Sequence, residues 1–367
     1  MIMKKNVVLL IDSLGSGGAQ RQLVNLAVSL KKENYNVTVV VYLNNSFYKK
    51  ILDEKEIPVV SCDGNKIFRI FKARRKINSL KPDVVVAFLE GACFMACISK
   101  IGKKWKLITT ERSSKDSTFT SKRNKIFNKF EKYSDIKVAN SYNAINKWKQ
   151  HFPQFSDRYF VIYNGTTVPE ELVNDEFIYR KDGKLNLVVA ASYQELKNPI
   201  ALVEAVNLLS DEQKGRLCIN WYGNPIVVGG TYVFDKAVEN VEKYGLKEVV
   251  KLNKETSEIY KKMAESDAVG LFSTVEGLPN VICEGMMLGK PIVMSKVSDY
   301  SVLVNGNGFL CDPNSVESIR DALIAILNSS NKQLEEMGEK SRQIATELFS
   351  IDIIEKQWIN FIESIDK

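Results

Sequence analysis

Short apolar runs alternate with amphipathic stretches along the first half of the chain. Seven of these runs are rich in β-branched residues and almost continuously apolar; they cover residues 7–11, 37–42, 58–62, 83–88, 106–110, 136–140 and 159–164. Strands that are buried on both faces have this character, which indicates a parallel sheet. Stretches between them, such as Ala19–Glu33 and Lys66–Ser79, place apolar residues three and four apart, as amphipathic helices do. The alternation predicts a doubly wound α/β domain.

The same pattern restarts after a polar stretch at residues 165–184. Strands are predicted at 185–192, 217–223, 249–252, 268–273 and 291–295, and helices at 198–209, near 235–244, near 256–265, at 280–288 and at Ile351–Ile365. A chain of 367 residues exceeds the roughly 250–300 residues at which single cores stop growing. Two doubly wound domains are therefore expected, with a ligand in the cleft between them at the carboxyl ends of the strands.

Composition narrows the class of protein. Hydrophobic residues make up 45% and charged residues 26%, as in ordinary soluble proteins. No apolar run approaches the ~18–20 residues that span a bilayer, and the run at residues 7–11 is too short for a signal peptide. All six cysteines lie in apolar segments, which predicts reduced thiols in a cytoplasmic protein. With a single histidine, His151, and no second cysteine pair, no zinc site is expected.

Charge is distributed unevenly along the chain. Residues 1–150 contain 29 Lys+Arg and 12 Asp+Glu, a net charge of +17, whereas residues 151–367 contain 22 and 32, a net charge of −10. Basic runs at 68–81, 100–106 and 121–132 carry the interleaved aromatic residues Phe68, Phe71, Trp105, Phe127 and Phe130. The charge asymmetry indicates a basic N-terminal surface for a membrane, nucleic acid or an anionic ligand, and the interleaved aromatic residues fit a helix lying on an anionic membrane. Solvated surface charge with ordinary core aromatics is the alternative.

Three glycines, Gly15, Gly17 and Gly18, lie between the first strand and the first helix. Glycine lets backbone N–H groups approach a phosphate closely, and a helix N-terminus favours an anion. A Walker A loop would end in Gly-Lys-Ser/Thr, which is absent here, and a dinucleotide fingerprint would not have Gln20 at its last position. Two interpretations remain: a tight strand-to-helix turn, and a loop that faces a diphosphate.

Another candidate site follows the strand that ends at Ser273. Pro279 suits the first position of a helix, and Gly289 followed by Pro291 marks a helix end. The pattern therefore predicts a short helix over residues 280–288, directly after a turn.

Two carboxylates flank the start of this helix. Glu276 stands before it, and Glu284 lies about one turn inside, roughly 6 Å from Asn280 at a rise of ~1.5 Å per residue. Backbone N–H groups near Leu278–Val281 lie between them. Carboxylates accept hydrogen bonds from vicinal hydroxyls, and helix amides bind phosphate, so the segment can hold an extended phosphorylated polyol. The alternative is one capping and one solvent-facing glutamate.

The segment "STVEGLPNVICEGMMLGKPIVMS" resembles the signature of the retaining glycosyltransferases of family 4. The matching residues are Ser273, Glu276, Gly277, Pro279, Glu284, Gly289 and Pro291. Gly285 stands where alanine is usual, and "SLGSGGAQRQLVNLA" resembles the family's N-terminal loop with Gln20 in place of the usual Glu. Residues 138–141 and 161–168 resemble further stretches of the family, so the resemblance covers nearly the whole chain.

The resemblance implies the GT-B fold, in which two Rossmann-like domains face each other across a deep cleft. Residues 1–168 together with the C-terminal helix 351–367 would form the acceptor-binding domain. Residues 169–350 would form the domain that binds the nucleotide-sugar donor.

The resemblance also implies donor contacts. Glu284 would bind ribose hydroxyls, Glu276 would contact the donor sugar, and the loop glycines would close on the diphosphate. The expected donor-binding residues are Gly17, Gly18, Ser192, Lys197, Ser273, Glu276, Gly277, Leu278, Pro279, Asn280, Val281 and Glu284.

One expected cation is missing from this set. The family pairs an Arg with a Lys about five residues apart; here Lys197 is present, but Ser192 stands in the Arg position, which removes a bidentate phosphate donor. Arg112 is the candidate replacement. Glu111 is the polar candidate where many relatives carry a histidine near the reacting sugar. The catalytic set is therefore predicted as Glu276, Lys197, Arg112 and Glu111, while His151 is predicted to lie at the surface.

The predicted function is transfer of a sugar from a nucleotide-diphosphate sugar, a UDP-sugar, with retention of configuration. The acceptor would be lipid-linked or an oligosaccharide in the synthesis of a bacterial surface polysaccharide or glycolipid. No D-x-D pair occurs, so neither a metal nor a cofactor is expected. The enzyme would be cytoplasmic, peripheral on the inner face of the membrane, and would not bind nucleic acid. A nucleotide-sugar epimerase or a non-catalytic sugar-nucleotide-binding subunit on the same fold remains the alternative.

Overall fold

The computed structural model describes residues 5–174, 177–227 and 230–365. The chain divides into two compact units: unit 1 consists of Met1–Gly165 and Ile351–Lys367, and unit 2 of Thr166–Ser350. Thr166 lies with unit 2 because its backbone N–H donates to the carbonyl of Phe349 at 2.7 Å. The division thus falls within three residues of the boundary at 168 that the sequence analysis used.

Unit 1 is built on a seven-stranded sheet of order β3-β2-β1-β4-β5-β6-β7 whose strand pairs are all parallel. Its strands are β1 Asn6–Leu10, β2 Asn36–Val41, β3 Val59–Ser61, β4 Val84–Ala87, β5 Lys106–Glu111, β6 Ile136–Ala139 and β7 Tyr159–Val161. The helices of its continuous segment are α1 Gly18–Lys32, α2 Lys49–Glu54, α3 Lys66–Ser79, α4 Glu90–Lys100, α5 Ser117–Thr120, α6 Lys122–Asn128 and α7 Tyr142–His151.

Unit 2 repeats this plan with a six-stranded parallel sheet of order β10-β9-β8-β11-β12-β13. Its strands are β8 Leu185–Ala190, β9 Leu217–Gly223, β10 Val250–Lys254, β11 Ala268–Leu271, β12 Ile292–Ser295 and β13 Gly308–Cys311. Its helices are α8 Pro199–Asn207, α9 Asp211–Gly215, α10 Tyr232–Lys243, α11 Ile259–Ala264, α12 Asn280–Met287, α13 Tyr300–Leu303, α14 Val316–Asn328 and α15 Asn331–Phe349. The predicted doubly wound α/β character is confirmed in both units.

The central strand β1 shows why the predicted strands are continuously apolar. Val7 and Leu9 pack into one core, together with residues of α1, whereas Val8 and Leu10 pack into a second core with α3 and α4. Helices therefore cover both faces of the sheet, and no strand position between them can be polar without a partner.

The last helix, α16 Ile351–Ser364, belongs to unit 1. Ile354, Trp358 and Ile362 insert into the core that α1 shares. The junction is close-packed, because a Cβ on Gly165 would lie 2.5 Å from Cδ1 of Ile351. The predicted amphipathic helix is confirmed, and its apolar stripe is the part that unit 1 buries.

Part of unit 2 was not anticipated. The sequence analysis placed no strand after residue 295 and no helix between 296 and 350, whereas the structure adds β13, α13, α14 and α15 there. β13 is only four residues long and mostly half-buried, so it lacks the long apolar run that marks the other strands.

A lysine is buried in the core of unit 2. Lys290 follows α12, is 2% exposed, and places its ammonium 3.2 Å from the ring centroid of Phe177. Burial lowers its pKa to about 7, although the charge of Asp267 opposes this shift. The folded protein therefore holds fewer protons at this site than the unfolded chain does between about pH 7 and the usual pKa of 10.5.

Replacing this lysine with a residue of similar volume should stabilise the protein at neutral pH. In Lys290→Met we expect the free energy of unfolding to rise by roughly 2–4 kcal/mol at pH 7, because a buried charge is no longer imposed. The gain should shrink toward pH 10, because the free-energy cost of removing the proton on folding falls as the pH approaches the usual pKa of 10.5. Urea unfolding at the two pH values measures it, with the 83% exposed Lys332→Met as control. An equal gain at both pH values would contradict the assignment.

Candidate functional site

The candidate site of unit 2 lies at the carboxyl edge of its sheet, where β11 gives way to α12. Ser273, two residues beyond β11, is fully buried, and its hydroxyl has no hydrogen-bond partner among the described residues. A buried polar group in this state stands out in a native protein, and ligand binding is one explanation for it.

Helix α12 begins at Asn280, the predicted start. Pro279 is the N-cap rather than the first helical residue, and its side chain makes no cap hydrogen bond. The helix ends as predicted: Gly289 has φ +68°, and the N–H of Lys290 donates to the carbonyl of Gly285 at 3.0 Å. This is the αL glycine cap. At the opposite end, the positive end of the α12 dipole lies at the sheet edge, where the N-cap Pro279 provides no side-chain hydrogen bond.

The two glutamates occupy different environments at this helix end. Glu284, one turn inside α12, is 6% exposed. Glu276 forms an ion pair with the ammonium of Lys197, and both side chains are mostly buried. The structure therefore brings together two predicted site residues that are far apart in sequence.

Backbone hydrogen bonding fixes the loop that carries Lys197. The N–H of Thr274 donates to the carbonyl of Leu196 at 2.8 Å, which ties this loop to the segment after β11. Asn198 has φ +66° and donates from Nδ2 to the carbonyl of Pro313 at 2.8 Å, directly before α8 begins. The ammonium of Lys197 is thereby held beside the entry to α12.

Ser192, the position of the missing arginine, follows β8 and is half-buried. A Cβ on Gly223 would lie 1.9 Å from the carbonyl oxygen of Ala191 and 3.1 Å from Cα of Ser192. β8 and β9 therefore end in close contact here, which only glycine at position 223 permits. Tyr193 turns into the core and stacks on Trp221.

Gly285, where the resembling family usually has alanine, has a local explanation. A Cβ at this position would lie 2.8 Å from Cγ2 and 2.9 Å from Cβ of Val269 on β11. Since valine is stiff, a methyl group there would force α12 away from the sheet. Glycine at position 285 therefore fits the space that Val269 leaves beside α12, and alanine would not.

The glycine loop of unit 1 is held in shape by a side-chain contact. Gly17 is the N-cap of α1 and makes no side-chain cap hydrogen bond. Gln20 donates from Nε2 to Oδ1 of Asp12 at 2.9 Å, and a Cβ on Gly17 would lie 2.3 Å from Oε1 of Gln20. Gly17 and Gly18 are exposed. The departure at Gln20 thus supplies a donor to Asp12 that a glutamate would not supply.

Glu111 and Arg112 lie at the end of β5 in unit 1. Glu111 is buried, and burial raises the pKa of its carboxyl while the charge of Lys137 opposes the shift. Arg112 donates from Nη1 to Oδ1 of Asn164 at 2.9 Å, and burial lowers its pKa to about 10. Arg112 therefore keeps its positive charge at neutral pH.

Three further expectations concern metals, thiols and membranes. Within the described ranges, no group of three or more His, Cys, Asp or Glu could hold a metal ion. All six cysteines are free thiols, and His151 is exposed, as predicted. No helix in the described part of the chain is both long and apolar enough to cross a membrane.

Comparison with known proteins defines the class. The family model described as "Glycosyl transferases group 1" matches residues 174–344, and the model "Glycosyltransferase Family 4" matches residues 16–168. Together the two models cover most of both units. The chain belongs to the bacterial glycosyltransferases of the family 4 type, with the GT-B fold.

Individual relatives match along the whole chain. A Campylobacter jejuni protein, the GalNAc-alpha-(1->4)-GalNAc-alpha-(1->3)-diNAcBac-PP-undecaprenol alpha-1,4-N-acetyl-D-galactosaminyltransferase, is 22% identical over 97% of this chain and 98% of its own. An uncharacterized glycosyltransferase of Haemophilus influenzae is 23% identical over 96% and 99%. The solved structure of Anabaena HepE in complex with UDP and glucose is 19% identical, with a TM-score of 0.82 over 98% of this chain and 100% of that chain.

Proposed function

We propose that this protein transfers a sugar from a UDP-sugar, with retention of anomeric configuration, to a lipid-linked or oligosaccharide acceptor. One observation carries the proposal: the N-terminus of α12, whose N-cap Pro279 makes no side-chain cap hydrogen bond, lies between the Glu276–Lys197 pair and the buried Glu284. A helix N-terminus attracts a diphosphate, and carboxylates on either side accept hydrogen bonds from the hydroxyls of a sugar and a ribose.

Two relatives support the substrate classes. HepE was solved with UDP and glucose bound, which supports a uridine nucleotide as the donor's leaving group. The name of the Campylobacter jejuni relative specifies an acceptor linked to undecaprenol through a diphosphate. A lipid-linked acceptor of this kind fits the proposed role of this chain in bacterial surface polysaccharide or glycolipid synthesis.

Within the donor site, each residue is assigned a role that fits its position. Glu284 binds the ribose hydroxyls, and Glu276 contacts the donor sugar. The diphosphate is covered by the backbone N–H groups of Gly277, Leu278, Asn280 and Val281. Pro279 lies among these residues but has no N–H to donate. Ser273, whose hydroxyl lacks a partner among the described residues, and Ser192 supply hydroxyl groups along the same edge.

Charge stabilisation drives the proposed chemistry. The bond between the anomeric carbon and the diphosphate oxygen breaks, and the electron pair leaves with the diphosphate. Lys197 and the dipole of α12 stabilise this developing negative charge. The acceptor hydroxyl attacks the same face of the sugar, and the leaving phosphate takes its proton. No metal or cofactor takes part in this scheme.

Unit 1 carries predicted donor-binding residues of its own, whose roles are proposed from contacts within that unit. Arg112 is half-buried, and its buried Nε has no hydrogen-bond partner in the described parts of the chain. An anionic oxygen would satisfy this donor and replace the charge that Ser192 lacks. Gly17 and Gly18 are exposed at the start of α1, where backbone N–H groups can approach phosphate oxygens.

The function is tested by a transfer assay with UDP- and GDP-sugars and a polyprenyl-diphosphate-linked acceptor. We expect a UDP-sugar to be consumed in the presence of EDTA, and NMR to show the donor's anomeric configuration in the product. Glu284→Ala should weaken UDP binding by about tenfold or more, since it removes a charge-assisted contact worth about 1.5–3 kcal/mol. Glu335→Ala, on the exposed side of α15, is the matched control.

The outcomes separate the alternatives. Sugar rearrangement without an acceptor would show an epimerase, and UDP binding without transfer to any acceptor would indicate a non-catalytic subunit. Inverted configuration in the product, or loss of activity in EDTA that is restored by a divalent metal, would contradict the mechanism.

Peripheral association with an anionic membrane is proposed through helix α3. Helix α3 contains six basic residues and no acidic one. Phe68 and Phe71 on this helix are 64% and 66% exposed and share a face with Lys72 and Arg75, whereas Ala73 points into the core. Aromatic side chains interleaved with cations fit an anionic lipid surface on the inner face of the cytoplasmic membrane.

The other aromatic residues of the basic runs have a different role. Trp105 is buried, and Phe127 stacks on Phe94 at a centroid distance of 4.0 Å. Phe130 packs against the core shared by α3 and α4. These three are core residues, so the membrane interpretation applies to α3 and not to every basic run.

Liposome flotation tests the membrane proposal. The protein should float with vesicles that contain about one-third anionic phosphatidylglycerol and should dissociate as salt rises, because screening weakens surface attraction. Phe68→Ser/Phe71→Ser should reduce binding severalfold. Tyr232→Ser removes a 71% exposed aromatic residue from unit 2 and should have no effect. Membrane binding that changes neither with salt concentration nor with the double substitution would refute the proposal.

A further inference from the structure

The short loop that follows β5, residues 111–114, carries both candidate residues of unit 1. We infer that Glu111 is a positioning residue that holds Arg112 in place and is not a group that reacts with the sugar. This inference rests on the proposed function only for the ligand of Arg112. The placement of Arg112 itself follows from contacts within unit 1.

The carboxylate of Glu111 is fully engaged by its own unit. Oε1 accepts from the backbone N–H of Arg112 and from that of Ser113, both at 3.0 Å. Oε2 accepts from the indole Nε1 of Trp148 at 2.9 Å. A reacting carboxylate must present lone pairs to the substrate. Here both oxygens accept hydrogen bonds from the protein itself, and the side chain is 6% exposed.

Trp148 links this carboxylate to a buried ion pair. Its indole N–H binds Glu111, while its ring face lies 3.9 Å from the ammonium of Lys137. Lys137 in turn pairs with Glu131 at 2.9 Å, deep in the unit. A continuous series of contacts therefore runs from Glu131 through Lys137 and Trp148 to Glu111, the first residue of the loop.

Arg112 follows Glu111 at the loop end of this series of contacts and is held in place by its own neighbours. Its guanidinium lies 4.6 Å from the ring centroid of Phe88, and Nη1 donates to Asn164. The backbone of Arg112 is anchored by Glu111, so the side chain starts from a fixed point. The cost of ordering a long side chain is then met during folding rather than when a ligand binds.

NMR of donor-free protein tests the placement directly. The Nε–H signal of Arg112, assigned by its loss in Arg112→Lys, should be dispersed and protected from exchange in the native protein. Glu111→Ala should collapse it toward the position of exposed arginines. Glu111→Gln keeps the acceptor oxygen for the two backbone N–H groups and should change the signal little. Glu90→Gln, a surface carboxylate paired with Arg123, is the control.

UDP affinity tests the consequence. Glu111→Ala should raise the Kd for UDP about tenfold, Trp148→Phe and Glu111→Gln should raise it by less than about fivefold, and Glu111→Ala/Arg112→Ala should bind no more weakly than Arg112→Ala alone. Non-additivity of this kind indicates that both residues act through one contact. Circular dichroism and thermal unfolding confirm that each variant is folded at the assay temperature.

Each result has one reading. If Glu111→Gln is as inactive in transfer as Glu111→Ala while the Arg112 signal and UDP affinity stay native, Glu111 is a reacting group and the inference fails. If the Nε–H signal of Arg112 does not change in Glu111→Ala, the inference also fails. If the signal collapses but UDP affinity is unchanged in Arg112→Ala, Glu111 still positions Arg112, and it is the proposed diphosphate role of Arg112 that fails.

Discussion

The N-terminus of α12 is the feature on which the rest of the site depends. A parallel sheet directs the start of each following helix to one edge, so the positive end of α12 lies where β8 and β11 also end. A helix N-terminus favours an anion. Two carboxylates beside it can then accept hydrogen bonds from the hydroxyl groups of a bound ligand. Glu276 is balanced by Lys197, and Glu284 lies beside the amides that a diphosphate would cover.

Much of this arrangement could be predicted from the sequence, because its determinants are local. The apolar runs of β1 and β8, the turn at residues 277–279 and the glycine cap at Gly289 each depend on neighbouring residues. The start of α12 at Asn280 matches the prediction, although Pro279 is the N-cap and not the first helical residue, the position that proline prefers. β13 was missed because its four residues, half-buried at the sheet edge, lack a distinctive pattern.

Other features depend on contacts that a linear pattern does not contain. Lys197 and Glu276 are 79 residues apart, and Glu111 and Trp148 are 37 residues apart. Phe68 and Phe127 occupy similar basic, helical contexts, yet one is exposed and the other stacks on Phe94. Only the packing of α4 distinguishes them. For the same reason the sequence suggested a reactive role for Glu111, whose three hydrogen bonds become visible only in the folded unit.

A crystal structure of the protein soaked with a UDP-sugar tests the central claim most directly. The account predicts that diphosphate oxygens lie within about 3.2 Å of backbone N–H groups at residues 278–281. It also predicts the ribose at Glu284 and the sugar at Glu276. A nucleotide bound elsewhere, with the N-terminus of α12 bearing no phosphate, would contradict the account.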